Sequence, residues 1–90
     1  MLFASPSLAD GIGDKMCPLL EKIAANIGDK ADYAVQAELV FGAAGAYDLQ
    51  STELRDMLNG VDASAIAQCP DAREKILARI GMNSLSSAMR

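Results

Sequence analysis

The chain contains no histidine and no tryptophan, and its aromatic residues are limited to Phe3, Tyr33, Phe41 and Tyr47. Without histidine, the side chain that most often serves as general base, zinc ligand and switch near neutral pH is missing. Any response to pH in the acid range must then come from carboxylates. No stretch of basic residues forms the stripe that nucleic acid or an anionic membrane surface requires. Twelve acidic residues face eight basic ones, for a net charge of -4, and the two signs alternate along the chain. No apolar run approaches the roughly 20 residues of a membrane-spanning helix. Neither a CxxC motif nor a phosphate-binding glycine loop with its lysine is present. Sustained period-two alternation, the signature of a half-buried strand, is also lacking. These absences predict a non-catalytic protein with no cofactor, no metal centre, no nucleic-acid partner and no membrane insertion.

A chain of 90 residues holds one hydrophobic core. Half of it is apolar (51%), yet much of that is alanine, which buries little area. A thin core benefits from a covalent staple, and two cysteines, Cys17 and Cys69, are available. In an oxidising compartment they pair; in a reducing one they are two separate buried thiols. Closing a loop of that length would stabilise the fold by about 4 kcal/mol on the chain-entropy model. The N-terminus favours the oxidising case. Met1 to Ala9 reads as the tail of a secretory leader, with Ser7 and Ala9 as small residues before a cut at Asp10. The expected location is periplasmic or secreted.

Periodicity predicts an all-α fold, a small bundle of four to five short helices closed by one disulfide. Residues 1–13 read as a flexible leader, 14–81 as the helical domain and 82–90 as a loosely ordered, serine-rich tail. Asp14 is placed to cap a first helix over 14–27, with Leu20, Ile23 and Ile27 on its inner face and Pro18 in its first turn. Gly28 ends it. Asp29 or Asp32 caps a second helix over 30–46, where Ala31, Val35 and Leu39 share a face. Ser51 caps a third over 52–59, with Gly60 as its stop. Asp62 caps a fourth over 63–68 that buries Ile66 and ends at Cys69. Pro70 opens a fifth, whose inner face carries Ala72, Ile76, Leu77 and Ile80 and which Gly81 closes. Acidic residues early in that helix and Lys75 and Arg79 late in it suit the helix dipole. The expected core is Leu20, Ile23, Val35, Leu39, Leu54, Leu58, Ile66, Ile76 and Ile80.

Two local patterns resemble known families. Ile80-Gly81-Met82-Asn83-Ser84-Leu85 is similar to the serine turn of acyl carrier proteins, but Asn83 stands where that family has an aspartate. The organisation of residues 14–80 resembles the HdeA family of periplasmic acid-activated chaperones. The shared features are Cys17-Pro18-Leu19-Leu20 on a short helix, a longer apolar helix ending in small residues, and a Val61-Asp62 segment leading to Cys69-Pro70. A charged amphipathic helix follows. The place of the tryptophan that this family often carries before its first cysteine is held by Lys15-Met16. The resemblance implies a small helical dimer at neutral pH that loosens in acid and offers apolar surface to unfolding protein clients. In this chain that surface would comprise Leu39, Val40, Phe41, Leu54, Met57 and Leu58. The alternative is an inhibitor or immunity-type protein that binds one specific protein partner through a fixed surface.

Overall fold

The structure, a computed structural model, describes residues 8–47 and 52–90, with side chains described from Gly11 onward. Among the described residues it consists of five helices and no strand. They are α1 (Leu8–Ala25), α2 (Asp32–Ala46), α3 (Thr52–Gln68), α4 (Pro70–Ile80) and α5 (Leu85–Met89). The all-α expectation holds. Helix α1 is the centre of the bundle and packs against α2, α3 and α4, while α5 lies against α2 and α3.

Helix α1 begins well before Asp14. Its buried stripe runs Ile12, Met16, Leu20 and Ile23, so the apolar repeat extends a full turn into the segment expected to be a flexible leader. Of the two glycines there, Gly11 faces open space and Gly13 is a packing position. A Cβ on Gly13 would run into the Gln68 side chain, so the small residue lets α1 approach the end of α3. Pro18 consequently lies inside the helix rather than in its first turn. Residues 1–7 lie outside the described residues, as does Ser51, the expected cap of the third helix.

The third and fourth expected helices are one. Gly60 does not stop α3; it faces α1, where an added Cβ would lie 2.9 Å from Ile12 Cδ1. The continuous helix buries Met57, Val61, Ser64 and Ala65 on one stripe. Ile66 is one step off that stripe and is 56% exposed, contrary to its expected place in the core. Asp62 lies within α3 and caps a different helix, described below. Leu20, Ile23, Val35, Leu39 and Ile76 are buried as expected, and Leu54, Leu58 and Ile80 are partly buried against them.

Gly81 is the stop of α4, with φ of 71°, whereas α1 already ends at Ala25 and Gly28, with φ of 41°, lies in the turn beyond it; both sit in a region glycine occupies without strain. Gly81 N–H donates to the Leu77 carbonyl at 2.8 Å, closing α4. Neither Asp29 nor Asp32 caps α2: its N-cap is Ala31, which makes no side-chain cap, and Asp32 falls in the first turn. Arg79 ties α4 to the loop between α1 and α2, donating to the carbonyls of Gly28 and, at 2.7 Å, Lys30. Residues 85–89 of the expected loose tail form a docked helix. The Ser84 hydroxyl accepts from Ser87 N–H at 3.0 Å, and Leu85 and Ala88 are fully buried. Cys17 and Cys69 form a disulfide that joins the middle of α1 to the junction of α3 and α4, with Sγ–Sγ 2.04 Å and no cysteine left free.

Candidate functional site

Helix α2 is the element whose composition exceeds what the core uses. Its sequence, DYAVQAELVFGAAGA, has three polar side chains, Asp32, Gln36 and Glu38. Val35, Leu39 and Ala43 recur at four-residue spacing and face inward, where all three are buried. Beside them, Gly42 meets α1 so closely that an added Cβ would sit 2.5 Å from Leu19 Cδ1. Gln36 Nε2 donates to the Ala88 carbonyl at 2.8 Å and ties the inner side to α5.

The opposite side of α2 is apolar too. Tyr33, Ala37, Val40, Phe41 and Ala44 follow the i, i+4, i+7, i+8, i+11 spacing of a single helix face. Tyr33 is 78% and Phe41 74% exposed, and Val40 is exposed as well. Between Phe41 and α1 runs a groove of about 730 Å³, with Leu19, Ile23, Phe41 and Gly42 as its apolar wall and Lys22, Asn26 and Lys30 at its polar edge. Lys30 Nζ pairs with Glu38 Oε2 at 2.6 Å across that edge. The site therefore combines an apolar stripe with a groove whose rim carries Lys22, Lys30 and Glu38, charges of both signs.

The six residues expected to form a client surface divide three ways. Leu39 and Met57 are fully buried and belong to the core. Leu54 and Leu58 are half-buried on α3 and pack against that core. Val40 and Phe41 alone of the six stand in solvent. The structure adds Tyr33, which was not expected, at the N-terminal end of the same α2 stripe. The signal for it was the i, i+8 spacing from Tyr33 to Phe41 along a helix with little polar character.

Both cysteines are held in the disulfide. Among the described residues no group of three His, Cys, Asp or Glu side chains is placed to hold a metal ion, and no helix is long and apolar enough to cross a membrane. Compared with protein-family models, with curated proteins and with solved structures, the chain matches none.

Proposed function

We propose that this chain is a small extracytoplasmic, non-catalytic protein that binds other proteins through the outer face of α2, and that it acts as an acid-activated chaperone for unfolding clients. The observation that carries the reading is the solvent exposure of Tyr33, Val40 and Phe41 on one stripe of a helix that is apolar all round. A helix of that character is ordinarily buried on both sides, so its open face calls for a protein partner. The disulfide supports an oxidising location.

Acid supplies the activating step. Below the ordinary carboxylate range, at about pH 2, the chain loses its acidic charges and keeps its eight basic ones. Self-repulsion then favours expansion. The half-buried Leu54 and Leu58 join the exposed surface as the bundle loosens, and the disulfide limits how far it opens.

The rival reading, binding of one specific partner, is favoured by the fact that the α2 stripe is already open in the closed fold. The experiment that separates them measures aggregation of an acid-sensitive client at about pH 2 with and without the protein. Protection that is weakened by Phe41→Ser supports the chaperone. No protection by an intact fold rejects it, and leaves capture of a single partner at neutral pH through the same stripe.

A further inference from the structure

Helices α2 and α3 both pack on α1, yet among the described residues they hardly meet each other; α5 lies against both and fills the seam between them. Three helices hold α5 there, and each grips its segment by the backbone. Arg73 Nη2 of α4 donates to the Asn83 carbonyl at 3.3 Å. The Asp62 carboxylate of α3 accepts from the N–H groups of Leu85 at 2.7 Å and Ser86 at 3.1 Å. Gln36 Nε2 of α2 donates to the Ala88 carbonyl at 2.8 Å. Almost any sequence offers the same backbone groups, so these bonds select a short helical turn and not a particular chain. The selective contacts are apolar: Leu85 and Ala88, three positions apart, are fully buried, while Ser87 between them is exposed. A helix of five residues has almost no stability of its own. It is joined to α4 by residues 81–84, which belong to no helix. The disulfide joins α1 to the junction of α3 and α4 and leaves α5 outside its loop, so this segment can open while the other helices stay tied together.

We propose that α5 is a displaceable plug, and that the seam it vacates is a groove for a short helix of a protein partner that carries a leucine followed three positions later by a small residue. The chain's own segment, seated in the groove, shows the fit. The partner's leucine takes the place of Leu85 and its small residue that of Ala88. Its first free N–H groups meet the Asp62 carboxylate, and a later carbonyl meets Gln36. This is recognition of a helix in a groove, with α5 as the resting occupant. The plug is autoinhibitory, because a partner's apparent affinity falls with the fraction of molecules whose seam is open. The groove uses the Gln36 side of α2 and not the face that exposes Tyr33 and Phe41, so it does not depend on the reading given to that face.

The test titrates the oxidised full chain with an acetylated and amidated peptide of its own residues 83–90, followed by NMR. Leu85→Asp in the chain expels the plug and leaves the walls of the seam unaltered. That variant should show saturable shifts at Gln36, Asp62 and Arg73 at a peptide concentration about tenfold or more below what the parent needs, since a plug closed in about nine molecules of ten imposes that factor. The same peptide with aspartate in place of its leucine should move neither protein. Equal affinity of parent and variant, a response to the aspartate peptide, or no binding by a variant whose other helices stay folded would each overturn the proposal. Hydrogen exchange on the parent keeps the question open to refutation if the variant does not fold. There the Ala88 amide should exchange through an opening that leaves the α1 amides protected, and exchange by global unfolding alone would rule out a plug. Concentration-dependent self-association of the parent, abolished by Leu85→Asp, would assign the groove to α5 of a second copy and overturn the choice of a partner's helix.

Discussion

Replacing Asp62 by alanine tests how the C-terminal helix is held. The Asp62 carboxylate sits midway along α3 and joins three helices. Its Oδ1 accepts from Arg73 Nε at 3.0 Å and from Leu85 N–H at 2.7 Å, and its Oδ2 accepts from Ser86 N–H at 3.1 Å. The two backbone donors open α5, a helix of five residues with no turns to spare, and would otherwise lack intrahelical partners. Hydrogen bonds to charged groups contribute about 1.5–3 kcal/mol each when well buried. Here the side chains of Asp62 and Arg73 remain 24% and 16% exposed, and the three bonds share one acceptor group. Solvent screening and non-additivity therefore reduce their sum to about 2–3 kcal/mol. A second limit comes from α5 itself. Once it detaches, the variant loses no more than the docking free energy of the helix, dominated by burial of Leu85 at roughly 2 kcal/mol.

The expected outcome for Asp62→Ala is a melting temperature lower by about 10–15 °C, on the scaling for domains of this size. The amide of Ala88, which donates to the Ser84 carbonyl at 3.2 Å, should lose its hydrogen-exchange protection before the amides of α1 do. Arg73→Met should cost less, because the carboxylate keeps both α5 donors. If Asp62→Ala stays within about 0.5 kcal/mol of the parent in urea unfolding, with α5 still protected, the carboxylate is not what anchors the tail.

Three further outcomes follow from the same packing. Reduction of Cys17–Cys69 opens a bridge spanning 52 positions and should remove about 4 kcal/mol, lowering the calorimetric melting temperature by about 20 °C; a shift under about 5 °C would contradict the chain-entropy account. Gly42→Val and Gly45→Ala, three residues apart in α2, should act with opposite sign in urea unfolding. Gly42 has Leu19 against it, so overpacking should cost about 1–3 kcal/mol, whereas Gly45 has open space and should gain about 0.5–1 kcal/mol. Tyr47, whose phenol is raised by burial and by Glu53, should stabilise the fold fully below pH ~10 relative to its ionising unfolded form. That contribution is lost as pH rises through the folded value, so Tyr47→Phe should flatten the alkaline fall in melting temperature; parallel curves for the two proteins would refute this.

The helical periods and the cysteine pair were legible because each rests on a local or compositional rule. Ile76 and Leu77 on α4, the Pro70 start and the Gly81 stop all follow from one helix turn and its ends. The glycines were not legible in the same way. Gly81 stops a helix and Gly28 turns the chain just beyond one, whereas Gly13, Gly42 and Gly60 admit a neighbouring helix or side chain, and nothing in the flanking residues separates the two classes. Taking Gly60 as a stop split α3, and the split had consequences. A helix restarted at residue 63 points Ile66 inward, whereas a continuous helix through Met57, Val61 and Ala65 turns it out. The split also assigned Asp62 to a cap on its own segment, when its carboxylate reaches α5, more than 20 positions on.

The candidate surface met a different obstacle. A helix that is apolar all round has no hydrophobic direction, so its pattern cannot tell the core side from the outer side. Leu39 and Phe41, two residues apart and equally apolar in composition, end on opposite sides: one sealed, the other open. What decides between them is the contact at Gly42. It brings α1 against that side of α2, so Leu39 is enclosed and Phe41 is left at the edge of the groove. The open face of α2 is thus set by where α1 approaches, a tertiary choice made at a glycine, and Gly42→Val tests it directly. If the bulkier residue moves α1, the groove beside Phe41 changes shape, and the partner binding proposed for the stripe should change along with stability.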